Sequence, residues 1–418
     1  MEAGVARVHG SRCRPPTSSG VPDRAGAQVT LQSARLGLLA DGDPGAGLPD
    51  TGALLHRLLR IAQLRLAEQH DNGEFVFTVT GERSTSQHGT SQHGPGGTWR
   101  LRRAGTSLRY GAITALGLLR LPEPDQRTVL AGMTAEDLVG QLAKGIDEIS
   151  GLGDAALVCW AAAECGHGDT EHALQHLAAL DHAERPVDVV SAAWVVSALA
   201  AARPVADVER HLAAARQRLL AARGAAVYPH TTGPGAPWYR AHVGSFADQV
   251  YPIQALARLH RSADDPEALA VAGTVAGAIV SAQGAGGQWW WHYDSRSGAV
   301  VEGYPVYSVH QHAMGPMALL DLADAGGDAH LDAIRRGLRW LAGPPEGGAE
   351  LILDEPPITW RKIARADHRK VVRGLRAAST RIVPGARVAA LDRVYPPGVV
   401  DHECRPYELG WLLYAWLS

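Results

Sequence analysis

Lysine is almost missing from this chain of 418 residues. It occurs only at positions 144, 362 and 370, although lysine and arginine together number 40. Positive charge is therefore carried by guanidinium, a bias that a GC-rich genome would impose without any functional cause. Cysteine is also scarce. Cys13, Cys159, Cys165 and Cys404 show no CxxC spacing, which argues against cysteine-knuckle metal sites and dithiol redox motifs. Cys159 and Cys165 fall in one apolar helical segment, where a small buried thiol is expected, and reduced thiols suit a cytoplasmic protein. No apolar run escapes interruption by Arg, Asp, Gln or His for the roughly 18 to 20 residues of a membrane span. A net charge of -3 and a pI near 6.7 give no reason to expect nucleic acid as a partner.

The first 45 or so residues lack the apolar stretch of a secretory signal and are rich in Gly, Pro, Ser and Arg, so disorder is expected there. The expected organisation is a disordered extension over 1–48 and one catalytic domain over 49–418. With 46% hydrophobic and 20% charged residues, the chain has ordinary globular, soluble composition.

From Asp50 onward, apolar residues recur three and four apart in twelve segments, which predicts twelve helices. Thr134 and Asp137, Ser245 and Asp248, and Ser308 and Gln311 have capping-box spacing. Gly166 closes one helix, and Pro266 opens another. The segments alternate: the first of each pair carries Arg, Glu, Asp and His along one face, and the second is Ala, Leu, Val and Trp nearly all round. Half-solvated outer helices and doubly buried inner helices have those patterns. Six such pairs predict an all-α (α/α)6 toroid.

Gln283-x-x-x-Gly287-x-Trp289 resembles the QxxxGxW repeat of terpenoid cyclases and prenyltransferases, and Gln69-x-x-x-Gly73-x-Phe75 is a looser copy. The overall layout also resembles the six-hairpin glycosidases, polysaccharide lyases and sugar epimerases. The competing reading of the repeat is a helix end closed by glycine over a packed aromatic ring. A cyclase of the protonation-initiated type implies a DxDD motif, and none is present; a zinc prenyltransferase implies an Asp-x-Cys, also absent.

Connections from an inner to the next outer helix are mostly short. Those from outer to inner include the long segments 71–106, 223–244, 284–305 and 343–403, which must all emerge where the inner helices begin. Long loops on one face of a rigid ring are where binding and catalysis concentrate. The free N–H groups of the inner helices point to the same face and favour anionic or electron-rich oxygens.

The residues gathered there suit sugar chemistry. Asp248, Tyr307, His310 and Glu403 are the candidate catalytic groups. Tyr251, Trp290, His292, Tyr293, Asp294, Tyr304, Arg405 and Tyr407 are the candidate substrate contacts. Asp154 and Asp188 read as simple helix caps. Aromatic faces stack on sugar rings, and Tyr, His, Asp and Glu exchange protons. Glycosidases need two carboxylates, for which Asp248, Asp294, Glu302 and Glu403 are available. A basic run, Arg361, Lys362, Arg365, Arg369, Lys370, Arg373, Arg376 and Arg381, is either a solvated helix face or a lid over an acidic substrate. The expected function is that of a glycoside hydrolase, lyase or epimerase on a glycan, acidic or lipid-linked forms included. No cofactor or metal is called for, since His310 and His312 stand two apart and face different ways. The alternatives are a terpenoid-type toroid enzyme and a non-catalytic glycan-binding scaffold.

Overall fold

The computed structural model describes residues 33–39, 49–84, 98–182, 184–347, 350–367, 370–386 and 388–418. In chain order the helices are α1 (Ala34–Gly37), α2 (Thr51–Gln69), α3 (Leu108–Leu118), α4 (Glu123–Val129), α5 (Ala135–Lys144), α6 (Leu152–Cys165), α7 (Thr170–Leu180), α8 (Val189–Ala202), α9 (Glu209–Ala221), α10 (Ala247–Ala263), α11 (Pro266–Ser281), α12 (Gly315–Asp324), α13 (Leu331–Ala342), α14 (Val371–Ile382), α15 (Ala389–Val394) and α16 (Pro406–Leu417). All twelve expected segments are helical, and they make an (α/α)6 toroid. Each inner helix packs on the next, in the circuit α3, α6, α8, α10, α12, α16 and back to α3. The outer helices α2, α5, α7, α9, α11 and α13 surround them.

Composition decides which helix goes where. Ala, Val, Leu and Trp on α8 are buried all round, whereas α13 buries Ala333, Ile334, Leu338 and Leu341 on one stripe and leaves its arginines outward. The ring closes where its first and last inner helices touch by backbone: a Cβ on Gly117 would meet the Gly410 carbonyl oxygen at 2.2 Å.

The capping boxes of α5 and α10 form as their spacing predicts. Thr134 and Asp137 bond reciprocally, and the Ser245 amide donates to Asp248 at 2.6 Å while the Asp248 amide donates to Ser245 Oγ at 3.3 Å. The box expected from Ser308 and Gln311 does not form. Ser308 Oγ donates instead to the Trp360 carbonyl at 2.5 Å, and Gln311 bonds the Tyr307 carbonyl and the Trp289 amide. The chain enters α12 through a π-helical turn, His310–Met314, a geometry with no signature in residue spacing. Within the stretch expected to be disordered, Ser33–Leu39 carry α1, because the Arg35 guanidinium reaches Asp321, Asp324 and the Ala415 carbonyl. The remainder of 1–48 lies outside the described residues.

The long insertions carry short strands: β1 (His70–Asp71), β2 (Glu74–Ser84), β3 (Thr98–Thr106), β4 (Val243–Ser245), β5 (His292–Asp294), β6 (Val300–Glu302), β7 (Val306–Tyr307), β8 (Ile352–Asp354), β9 (Pro357–Thr359), β10 (Lys362–Arg365), β11 (Pro397–Asp401) and β12 (Glu403–Cys404). Their pairings knit the insertions together. β12 joins β2 through Glu403 and Thr80, β10 joins β7 through Lys362 and Tyr307, and β5 joins both β4 and β6. Segments 284–305 and 343–403 meet on one face through Glu302, which pairs with Arg365 and Arg376, as alternation of short and long connections requires. Among the described residues no helix is long and apolar enough to cross a membrane.

Candidate active site

The QxxxGxW spacing serves the architecture. Gln283 ends α11 and donates to the Gly287 carbonyl at 3.0 Å and the Ala333 carbonyl at 2.9 Å, while accepting from Arg336. Gly287 has φ +94°, and a Cβ there would lie 2.1 Å from the Arg336 carbonyl oxygen, so only glycine fits. Trp289 is fully buried beneath. In the looser copy, Gln69 donates to the Cys404 carbonyl and Phe75 is buried.

At the N-terminal ends of the inner helices lies a cavity of about 210 Å³. Its wall comes from α3 (Arg109, Tyr110, Ile113), α8 (Val190, Trp194), α10 (Ala247, Tyr251), the third long insertion (Trp291), β7 after it (Tyr307), the π-helical turn (His310, Met314), the last insertion (Arg361) and α16 (Tyr407). Seven aromatic or imidazole rings thus face one space. Tyr251 meets Trp194 edge-on at 5.1 Å, Tyr110 and Tyr407 lie 4.8 Å apart, and His310 stacks parallel to Trp291 at 5.9 Å.

Beside Ala247 on that wall, Asp248 has no solvent exposure. Its carboxylate accepts from the Ser245 amide and Ser245 hydroxyl at 2.6 and 2.8 Å and faces His230 Nδ1 at 3.2 and 3.3 Å. No lysine or arginine pairs with it among the described residues. Asp188 caps α8 through the Ser191 amide and hydroxyl, and the adjoining Val189 amide donates to the His230 carbonyl. His230 is held above its ordinary pKa by its hydrogen bond to Asp248 and by that charge, with Asp188 adding to the effect. Two carboxylates and one imidazole are therefore coupled at the cavity edge. Asp154, expected to cap α6, pairs with Arg109 at 2.5 Å instead.

Of the candidate residues, Tyr251, Tyr307, His310 and Tyr407 are brought together on the cavity wall, with Asp248 adjacent. His310 is pushed down to about 3 by burial and by Arg361, so it is a neutral imidazole, and its Nδ1 has no hydrogen-bond partner among the described residues. Burial raises the Tyr307 phenol above its ordinary value. The Arg361 guanidinium stacks over the Tyr307 ring at 4.8 Å and is oriented by Glu408 at 3.0 Å.

The other candidates are engaged elsewhere. Glu403 accepts from Arg405 at 2.9 and 3.1 Å, and Arg405 also donates to the Tyr110 hydroxyl at 3.0 Å. Asp294 is clasped by Arg296 at 2.7 Å. Trp290 meets Tyr304 edge-on, and the Tyr304 hydroxyl donates to Glu346. Tyr293 and His292 are buried in β5, where burial and the charges of Arg373 and Arg240 hold His292 well below its ordinary value. Glu302 is buried between Arg365 at 3.1 Å and Arg376 at 3.4 Å, both also bound to Asp392. That network docks α14 onto β6. The basic run thus splits: Arg361 reaches the cavity, Lys362 pairs with Asp401, Arg365 and Arg376 anchor α14, and half-buried Arg373 faces Tyr307. Arg369 lies outside the described residues.

Arg109, Tyr110 and Trp194 escaped the reading of the sequence. The first two sit in the first turn of an inner helix, so the same rule that selected Asp248 and Tyr407 marks them once the helix starts are laid out.

No protein-family model and no curated protein matches the sequence. Solved structures do match in fold. An unsaturated glucuronyl hydrolase from Bacillus sp. GL1, described as responsible for the degradation of glycosaminoglycan, is similar at TM-score 0.53 with 12% identity, over 87% of this chain and 95% of that one. A mutant of the enzyme of that name from Streptococcus agalactiae, complexed with dGlcA-GalNAc6S, gives 0.51 with 11% identity over 93% and 96%. A heparin-specific unsaturated glucuronyl hydrolase gives 0.50 with 14% identity over 87% and 96%. At these identities the likeness is one of fold, the six-hairpin toroid.

Proposed function

We propose that the protein is a glycoside hydrolase acting on acidic glycans, with uronyl sugars as the first class to test. The observation that carries this reading is Asp248: a fully buried carboxylate, free of any lysine or arginine partner among the described residues, beside an aromatic cavity whose wall also presents Arg109 and Arg361. Aromatic rings suit the carbon-bound hydrogens of a pyranose, and the guanidiniums suit a carboxylate substituent. The fold neighbours, named as unsaturated glucuronyl hydrolases, support the choice of an unsaturated uronyl sugar.

Such a sugar is an enol ether. Its chemistry requires an acid to protonate C4 of the C4–C5 double bond, leaving positive charge shared between C5 and the ring oxygen. Water adds at C5 and loses a proton to a base. The resulting hemiketal opens and releases the neighbouring sugar. Asp248 is suited to give the first proton and take back the second, with His230 and Ser245 holding its orientation. The lyase and epimerase readings need Tyr307 or His310 as the base; burial raises the Tyr307 phenol, which opposes a phenolate, and burial with Arg361 pushes His310 down to about 3, which makes it a weak base. Hydrolysis is therefore the better reading.

The test is incubation with unsaturated uronyl disaccharides from chondroitin and from heparin, following the ultraviolet absorbance of the double bond and release of the second sugar. Loss of the absorbance together with release of the second sugar is expected. Substrate left intact in every case, or new double bonds appearing in saturated uronates, would overturn the proposal.

A further inference from the structure

We infer that the turn Pro237–Arg240 carries an outer sugar platform, the Trp238 indole, which holds a glycan unit beyond the one in the cavity; this rests on the glycan reading above. Trp238 is 67% exposed, while Tyr239 and Phe77, the other aromatic side chains on the surface, reach only 36% and 40%. The other tryptophans are buried or half-buried. Tyr239 braces the indole edge-on at 6.2 Å and 84°. The backbone beneath is fixed: the Arg240 amide donates to the Pro237 carbonyl and the Val243 amide to the Arg240 carbonyl, each at 2.9 Å.

Both ends of this loop are tied to the cavity edge. Upstream, His230 faces Asp248; downstream, β4 pairs with β5 and leads into Ser245, which caps Asp248. The Arg240 guanidinium has no hydrogen bond or ion pair among the described residues, and its charge acts on His230, His292 and Arg373. Trp238 stands two residues from Arg240, a reach of at most about 7 Å. A disaccharide whose second sugar lies against Arg240 outside the cavity brings the next sugar of a longer chain to the indole.

The chemistry favours a glycan over an apolar protein partner. The loop offers two exposed aromatic rings next to an unpaired cation, and they are the only large apolar side chains exposed in it among the described residues, whereas protein docking needs contiguous apolar area. A flat, rigid ring presented to water is what stacks on a pyranose at little entropic cost.

The experiment compares the whole protein and two variants on an unsaturated uronyl disaccharide and a tetrasaccharide from chondroitin sulfate. The wild type should show the lower KM for the tetrasaccharide. Trp238→Ala should raise that KM roughly three- to tenfold, leaving disaccharide kinetics unchanged, and Trp238→Tyr should restore most of the difference. Equal KM for the two lengths in the wild type, or equal shifts of both in Trp238→Ala, would overturn the platform. If neither sugar is turned over, the hydrolase reading fails instead. Titration calorimetry with the same two sugars then decides the platform: tighter tetrasaccharide binding lost in Trp238→Ala supports it, and equal Kd refutes it.

Discussion

The cavity at the N-terminal ends of the inner helices measures about 210 Å³, and a second at their C-terminal ends about 360 Å³. The larger one is chemically closed. Glu164 pairs with Arg120 and Arg258, which with its bond from Trp160 hold it down at about 2 against the upward push of burial. Asp321 pairs with Arg35 at 2.6 Å and accepts from Gln254, and Asp324 pairs with Arg35. Beside the smaller cavity, Asp248 has only imidazole, hydroxyl and amide partners among the described residues, and His310 on its wall keeps a ring nitrogen without a hydrogen-bond partner among them. Buried charges closed on one another hold a fold in register, while a buried carboxylate left open to an aromatic space remains available to a ligand.

Substitutions at the two ends should therefore fail in opposite ways. Asp248→Asn keeps size and most hydrogen bonds, so turnover of an unsaturated uronyl substrate should fall on the order of 10³-fold with the thermal midpoint nearly unchanged. Comparable turnover in that variant would break the comparison at its active end. Arg35→Ala at the other end strands the buried Asp321 carboxylate. A loss of about 3–5 kcal/mol is expected, seen as a marked drop in thermal midpoint, with kcat and KM of the folded fraction preserved. A catalytic defect without loss of stability would show that the closed cavity is not merely structural.

The toroid was legible because each helix carries its own evidence. Polar stripes on α13 and apolar girth on α8 distinguish outer from inner, and connection length then assigns the face. Of the strands in the insertions, β2 and β3, eleven and nine residues long, had the length to show a two-residue period and were missed. Most of the others were not legible, since runs such as Val306–Tyr307 or Glu403–Cys404 are too short to show one. They pair only because the ring brings them together. The same register decides which candidates reach the cavity: Tyr307 and His310 do, whereas Tyr293 points into packing and Glu302 into the α14 anchor. Residue type marked all of these, and placement separated them.

Glu302 sharpens the comparison from within the long-loop face, because it is a closed charge there. Glu302→Gln removes the buried anion that Arg365 and Arg376 share, leaving Asp392 as the acidic partner of both. Docking of α14 should weaken, with amide exchange over 371–382 faster by tenfold or more and KM raised through Arg373. Unchanged exchange over that helix would show that Asp392 and the contacts of Thr380 with His242 and Arg296 suffice.

The smallest effect concerns His230, the one cationic partner of Asp248 among the described residues. Its pKa is raised in the folded protein, so its attraction to Asp248 contributes stability that is fully present below its unfolded value near 6.5 and is lost as pH rises through the raised one. The imidazole side chain is 53% exposed, which limits the contribution to below about 1 kcal/mol. His230→Gln should therefore lower the thermal midpoint slightly at pH below 6.5, and the difference from wild type should shrink at alkaline pH. If Asp248 is the proton donor, the same substitution should also displace the pH profile of kcat/KM, since it removes the titrating imidazole that faces the carboxylate at 3.2 Å. A profile that keeps its shape, with only the stability difference present, would make His230 a brace of the loop and leave Asp248 to act without it.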